Sequence, residues 1–146
     1  MNKYIILLLS FFNIGKVKVA PGTFASGIAA FTWYFIPNIV FLQILIIFSL
    51  LILGFWSCYI YSIQNYKQDP GFIVIDEIAG MSIALFMVPK FSILFIIAFI
   101  IFRVFDIFKP SIIYHSEKID YGLGIMLDDI ISGVLVLLII QSYIQV

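Results

Sequence analysis

The sequence predicts an all-α fold: an integral membrane bundle of about five helices, some of them short, with its polar groups at one face. Three observations lead there. Apolar residues make up 64% of the 146 residues and charged residues only 11%, whereas soluble domains run near 45–50% apolar and ~25% charged. The mean hydropathy is +1.19. Apolar runs of helical length alternate with short polar stretches marked by Gly and Pro. No linker, low-complexity tract or charge block divides them, so the chain reads as a single membrane-embedded domain over residues 1–146.

The elements follow in order. In residues 1–14, Lys3 precedes an apolar run that ends at Phe12, and Lys16 and Lys18 come next. No small-x-small cleavage site follows, so this reads as a retained segment, interfacial or partly inserted, rather than a signal peptide. Helices are expected over residues 23–36, 39–63, 76–88, 91–108 and 128–144. The second and fifth are long enough to cross ~30 Å of hydrocarbon, and the fourth is borderline. The first and third are short and would tilt, thin the bilayer or pack inside the bundle. Turns at Pro37-Asn38 and Pro89-Lys90 join four of them into two hairpins.

Threading the chain through a bilayer in this order puts Lys16, Lys18, Lys67, Arg103, Lys109 and Lys118 on one face and Lys90 on the other, with Lys3 unassigned. The excess of Lys and Arg marks the first face as cytoplasmic. All eight acidic residues, which lie between Asp69 and Asp129, fall on that face too. The net charge is zero and no basic run exists, so nothing points to nucleic acid. The one cysteine, Cys58, excludes an internal disulfide and a cysteine-rich metal site, and reads as a packing residue.

Four segments carry groups that this apolar setting does not explain. Pro21-Gly22-Thr23-Phe24-Ala25-Ser26-Gly27 places two hydroxyls at a helix start, where free N–H groups suit a phosphate. An N-cap at Thr23 with Gly27 as a close helix contact is the plainer reading. Asp76-Glu77 open the third helix, and Gly80, four residues after Asp76, lets another helix approach on that side. Arg103 and Asp106 are spaced as a helical ion pair, with Lys109 continuing the stripe. Asp128-Asp129 open the last helix, and Asp129 with Gly133 repeats the spacing of Asp76 with Gly80. Adjacent carboxylates repel and are costly to bury, so a divalent cation at the membrane edge is the expected counter-charge. The lone His115 makes zinc a poor candidate, and Glu117, Lys118 and Asp120 read as a solvated face.

Together, Pro-Gly-Thr-Phe-Ala-Ser-Gly at 21–27, Ile-Asp-Glu-Ile-Ala-Gly-Met at 75–81, Phe-Arg-Val-Phe-Asp-Ile-Phe-Lys-Pro at 102–110 and Gly-Leu-Gly-Ile-Met-Leu-Asp-Asp-Ile-Ile-Ser-Gly at 122–133 resemble the phosphatidylglycerophosphatase A family. Any one motif is weak, but the four in this order and spacing are specific. Ser132 stands where a small alanine is usual, and the N-terminus is shorter than in some members. The family also has soluble helical relatives, and the apolarity here favours its membrane branch. The resemblance implies a magnesium-dependent phosphatase of the bacterial inner membrane, multi-pass and facing the cytoplasm, that converts phosphatidylglycerophosphate to phosphatidylglycerol. On that reading Asp76, Glu77, Asp128 and Asp129 hold Mg2+. Arg103 and Lys109 grip the phosphate, and Thr23 and Ser26 donate hydroxyls. Asp106 is a base or further ligand, and Asp106, Asp129, Arg103 and Lys109 form the catalytic set. Direct attack by water and an aspartyl-phosphate route both fit these residues. The readings set against it are a small membrane transporter, which predicts carboxylates near mid-helix, and a non-catalytic membrane subunit that binds a cation. A CDP-alcohol phosphotransferase would need a spacing of aspartates that is absent.

Overall fold

Helix α1 (Lys3–Leu9) is short and leads through a 3₁₀ turn (Ile14–Lys16) to α2 (Pro21–Phe35), α3 (Val40–Asn65), α4 (Ile75–Ala84), α5 (Ser92–Phe108) and α6 (Leu123–Ile144). The computed structural model describes residues 3–65, 70–109 and 123–145; Lys67, Asp69, His115, Glu117, Lys118 and Asp120 lie outside them. Among the described residues there are six α-helices and no strand. The five expected helices all form, and the N-terminal segment adds the sixth.

Several boundaries differ from expectation for local reasons. Helix α2 starts two residues early because Pro21 takes its first position, where a fixed φ and a missing N–H cost nothing. Its cap is therefore Ala20, in the left-handed region with φ 44°, and not Thr23. Helix α4 stops at Ala84 rather than 88 because the chain turns sharply through Met87, at φ 54°, ahead of Pro89. Helix α6 begins at Leu123, so Asp128 and Asp129 lie in its second turn and not at its mouth.

Helix α4 is the centre of the molecule. Nine of its ten residues are buried, Glu77 being the other, and it packs against α2, α3, α5 and α6. The tightest crossing is with α6. A Cβ on Gly80 would meet the Asp129 carbonyl oxygen at 2.5 Å, and one on Gly133 would collide with the Gly80 carbonyl. Two glycines thus let the backbones touch, which is how close helix pairs form in apolar surroundings. The expected role of Gly80 is met in this way. Gly27 differs: the nearest atom to a Cβ there is a Phe99 ring carbon at 3.9 Å, so it makes no close helix contact.

Both ends of α4 are tied down. At its start, the Val74 amide donates to the Leu9 carbonyl at 2.9 Å, which anchors α1 beneath the helix. At its far end, Gln43 joins the two hairpin turns. Its Nε2 donates to the Pro37 carbonyl at 3.1 Å and to Asn38 Oδ1 at 3.0 Å, and its Oε1 accepts from the Met87 amide at 2.8 Å. Trp33 Nε1 donates to the Leu85 carbonyl at 2.9 Å. Lys90 Nζ donates to the Trp33 carbonyl at 2.7 Å, and partial burial pushes its ammonium below its ordinary pKa.

Two helices, α3 over Val40–Gln64 and α6, are long and apolar enough to cross a membrane. In α3 only 17% of the most apolar stretch is buried. A core helix of a soluble protein would be largely covered, whereas here Phe41, Phe48 and Trp56 stand outward. Such a face calls for an apolar solvent, which fits a membrane protein.

Candidate active site

The site forms where the start of α2, the start of α4, the end of α5 and the second turn of α6 meet. A cavity of about 330 Å³ lies between them, lined by Gly22, Thr23, Asp76, Glu77, Arg103, Asp106, Lys109, Asp128 and Asp129 among others. Among the described residues, five carboxylates there face two cationic side chains. Lys90 is at the other end of the bundle, beside Trp33.

Each carboxylate is placed by its helix. Asp76 and Glu77 sit in the first turn of α4, where the helix dipole favours negative charge. Asp76 Oδ1 also accepts from the Glu77 amide at 3.0 Å. Asp129 comes from α6 and is drawn in by the Gly80–Gly133 crossing one turn away. Oxygens of Asp76, Glu77 and Asp129 all lie within 4.8 Å of one another. Asp76 and Asp129 are buried and Glu77 half-buried. Such a cluster repels itself strongly in a poorly solvated place.

Asp128 is held differently. Its Oδ1 accepts from the Asp129 amide at 3.0 Å, and its Oδ2 takes the Lys109 ammonium at 2.8 Å. The structure therefore brings Asp76, Glu77 and Asp129 together and sets Asp128 beside them in an ion pair. Lys109 departs from the expected stripe. Helix α5 ends at Phe108, as expected where the next residue precedes a proline in sequence, and Lys109 caps it in the left-handed region at φ 42°. That turn sends its side chain across to α6 instead of along α5.

Arg103 and Asp106 form the ion pair that their spacing predicts. Arg103 also reaches Ser26, whose Oγ accepts from it at 3.4 Å and donates to the Gly22 carbonyl at 2.8 Å. Thr23, the third residue of α2, lines the same cavity. Gly22 is a position whose role the motif alone does not reveal. A Cβ there would overlap Glu77 Oε1 and come within 3.4 Å of an Arg103 nitrogen. The only hint in the sequence is its place directly after Pro21.

Among the described residues, three buried side-chain polar atoms have no hydrogen-bond partner: Glu77 Oε2, Asp129 Oδ1 and Arg103 Nε. Orphans of this kind are costly unless a ligand completes them. The two oxygens belong to the carboxylate trio, and the nitrogen belongs to the residue beside it. The trio offers only hard oxygen donors, which suits magnesium, calcium or manganese rather than zinc or copper. Oxygens on opposite sides of an ion stand about 4 Å apart for magnesium and about 5 Å apart for calcium, so oxygens within 4.8 Å of one another are near the spacing that one such ion draws together. The arrangement can hold a hard cation against carboxylates and an anion against Arg103 and Lys109.

Comparison with known proteins points to a lipid phosphatase family. The family model described as phosphatidylglycerophosphatase A matches residues 7–144. A Haemophilus influenzae protein named phosphatidylglycerophosphatase A is 34% identical over 138 residues, covering 92% of this chain and 85% of the relative. The Escherichia coli protein of that name is 33% identical over 132 residues, covering 88% and 77%. A Bacteroides thetaiotaomicron protein, provisionally named a phosphatidylinositol-3-phosphatase, is 32% identical over 139 residues, covering 88% and 86%. No solved structure matches.

Proposed function

The chain belongs to the phosphatidylglycerophosphatase A family, and from that membership we propose how its carboxylate cluster hydrolyses a lipid phosphate. The activity is that of a phosphatase: it removes the terminal phosphate monoester of phosphatidylglycerophosphate and leaves phosphatidylglycerol. The single observation that carries the mechanism is the meeting of Asp76, Glu77 and Asp129, with unpartnered oxygens on two of them.

Hydrolysis of a phosphate monoester asks for charge neutralisation and a positioned water more than for covalent help. Asp76, Glu77 and Asp129 would hold Mg2+, and Asp128, tethered by Lys109, would add a carboxylate at the edge. When bound, the ion supplies Lewis-acid neutralisation of the phosphoryl oxygens. Arg103 presents its spare Nε to the phosphate, and Lys109 meets it from the other side. Thr23, through its hydroxyl and backbone N–H near the start of α2, completes the anion cradle. Ser26 acts one step back by holding Arg103 in place. Asp106, fixed by Arg103, accepts the proton of the attacking water. Lys16 and Lys18 precede α2 at this end of the bundle, so the positive-inside rule turns the site toward the cytoplasm of a multi-pass inner-membrane protein.

The test is phosphate release from phosphatidylglycerophosphate by the purified chain in detergent, with Mg2+ or with a chelator. Release with the ion and none with the chelator is expected. No release in either condition removes the phosphatase reading, and equal release in both removes the metal.

A further inference from the structure

We infer that the open channel that runs along α2 and then on between α2 and α5 is the seat of one fatty-acyl chain of the phospholipid substrate, an assignment that rests on the lipid-phosphatase reading above. Three cavities chain together along this face. The charged one shares Ala20 and Thr23 with a second of about 340 Å³. The second shares Gly27 and Phe31 with a third of about 410 Å³, which runs on past Tyr34 and Phe95. The path starts among charges and ends among aromatic rings, which is the polarity of a lipid with a phosphate at one end. Its length agrees as well. Thr23 to Phe35 is about 18 Å of helix at 1.5 Å per residue, close to the ~15 Å of hydrocarbon in one leaflet.

Gly27 is the second observation. A glycine inside a helix costs about 1 kcal/mol relative to alanine, and here no neighbouring helix requires it, since the nearest atom to an added Cβ is 3.9 Å away. What its small size leaves open is the waist of the channel, at the point where the second and third cavities join. Ala30, one turn on, is small enough to leave the next stretch open. The outward rings of Phe31 and Phe35 form a wall against the bilayer. The acyl chain thus enters sideways from the leaflet while the phosphate stays in the charged cavity, against Arg103 and Lys109.

The experiment compares the full-length protein with Gly27→Leu and Ala30→Phe, which fill the channel without touching the charged cavity. Substrates are diacyl phosphatidylglycerophosphate in mixed micelles and its deacylated, water-soluble counterpart. Both variants are expected to lose about tenfold or more in kcat/KM on the diacyl lipid, mainly through KM, and to match wild type on the deacylated ester. An unchanged rate on the diacyl lipid, or an equal loss on both substrates, overturns the assignment. A second readout is a photoactivatable diazirine near the end of one acyl chain of the substrate. Labelling of Phe31, Tyr34, Phe95 or Phe99 supports the channel, and labelling spread over the outer face of α3 instead overturns it. Wild-type protein that releases no phosphate from either substrate but is labelled in the channel sinks the phosphatase reading and leaves the acyl seat standing.

Discussion

Gly22 and Lys109 show how single residues set the chemistry. Gly22 has no Cβ because Glu77 Oε1 occupies that space. Gly22→Ala must push Glu77 or Arg103 aside, an overpacking that costs about 1–3 kcal/mol. Activity is expected to fall about tenfold or more with the helical circular dichroism unchanged; a rate within twofold of wild type would show that Glu77 has room to spare. Lys109 neutralises Asp128 across a 2.8 Å contact in which both side chains are mostly covered. Lys109→Met leaves that carboxylate without its counter-charge and is expected to cost about 1–3 kcal/mol of stability. Adding Asp128→Leu should return most of the loss, which a double-mutant cycle on melting temperature measures directly. A double variant no more stable than Lys109→Met would mean that the pair is incidental.

At the scale of the helix, the α4–α6 crossing holds the cluster together. Gly80→Leu and Gly133→Leu each drive a side chain into backbone. Both are expected to lower the melting temperature and to abolish phosphate release together, because Asp129 rides on that crossing. Gln43→Leu works at the other end of the bundle, where it removes the ties between Pro37, Asn38 and Met87. It is expected to cost about 1–3 kcal/mol of stability while kcat stays near wild type, and a parallel fall in kcat would show that the far turns govern the site. The five long elements could be read from apolar runs and prolines, but their starts less well. Paired aspartates usually announce a helix N-terminus, so Asp128 was expected to open α6; the helix instead runs back to Leu123, with Gly124 buried in its first turn. Likewise, the cap of α2 is Ala20, whose left-handed backbone no propensity reveals.

For the whole molecule, the alternation of helices gathers Asp76, Glu77, Arg103, Asp106, Lys109, Asp128 and Asp129 at one end, and that gathering was legible from loop order alone. The pairing within the cluster was not. Which three carboxylates meet depends on a backbone contact between two glycines 53 positions apart in numbering, Gly80 and Gly133. That Lys109 serves Asp128 depends on where α5 breaks. The same layout predicts orientation. In a background with Cys58 replaced, a cysteine at Lys18 should react with an impermeant maleimide only from the cytoplasmic side, and one at exposed Phe91 only from the outer side. Labelling of both from one side would refute the threading of the chain.

The most direct test of the carboxylate trio is a manganese titration followed by electron paramagnetic resonance, run on folded wild type and on Asp129→Asn. Tight binding in the wild type, displaced by Mg2+, with loss of both binding and phosphate release in the variant, is the expected result. Equal binding and turnover in the two proteins would contradict the account.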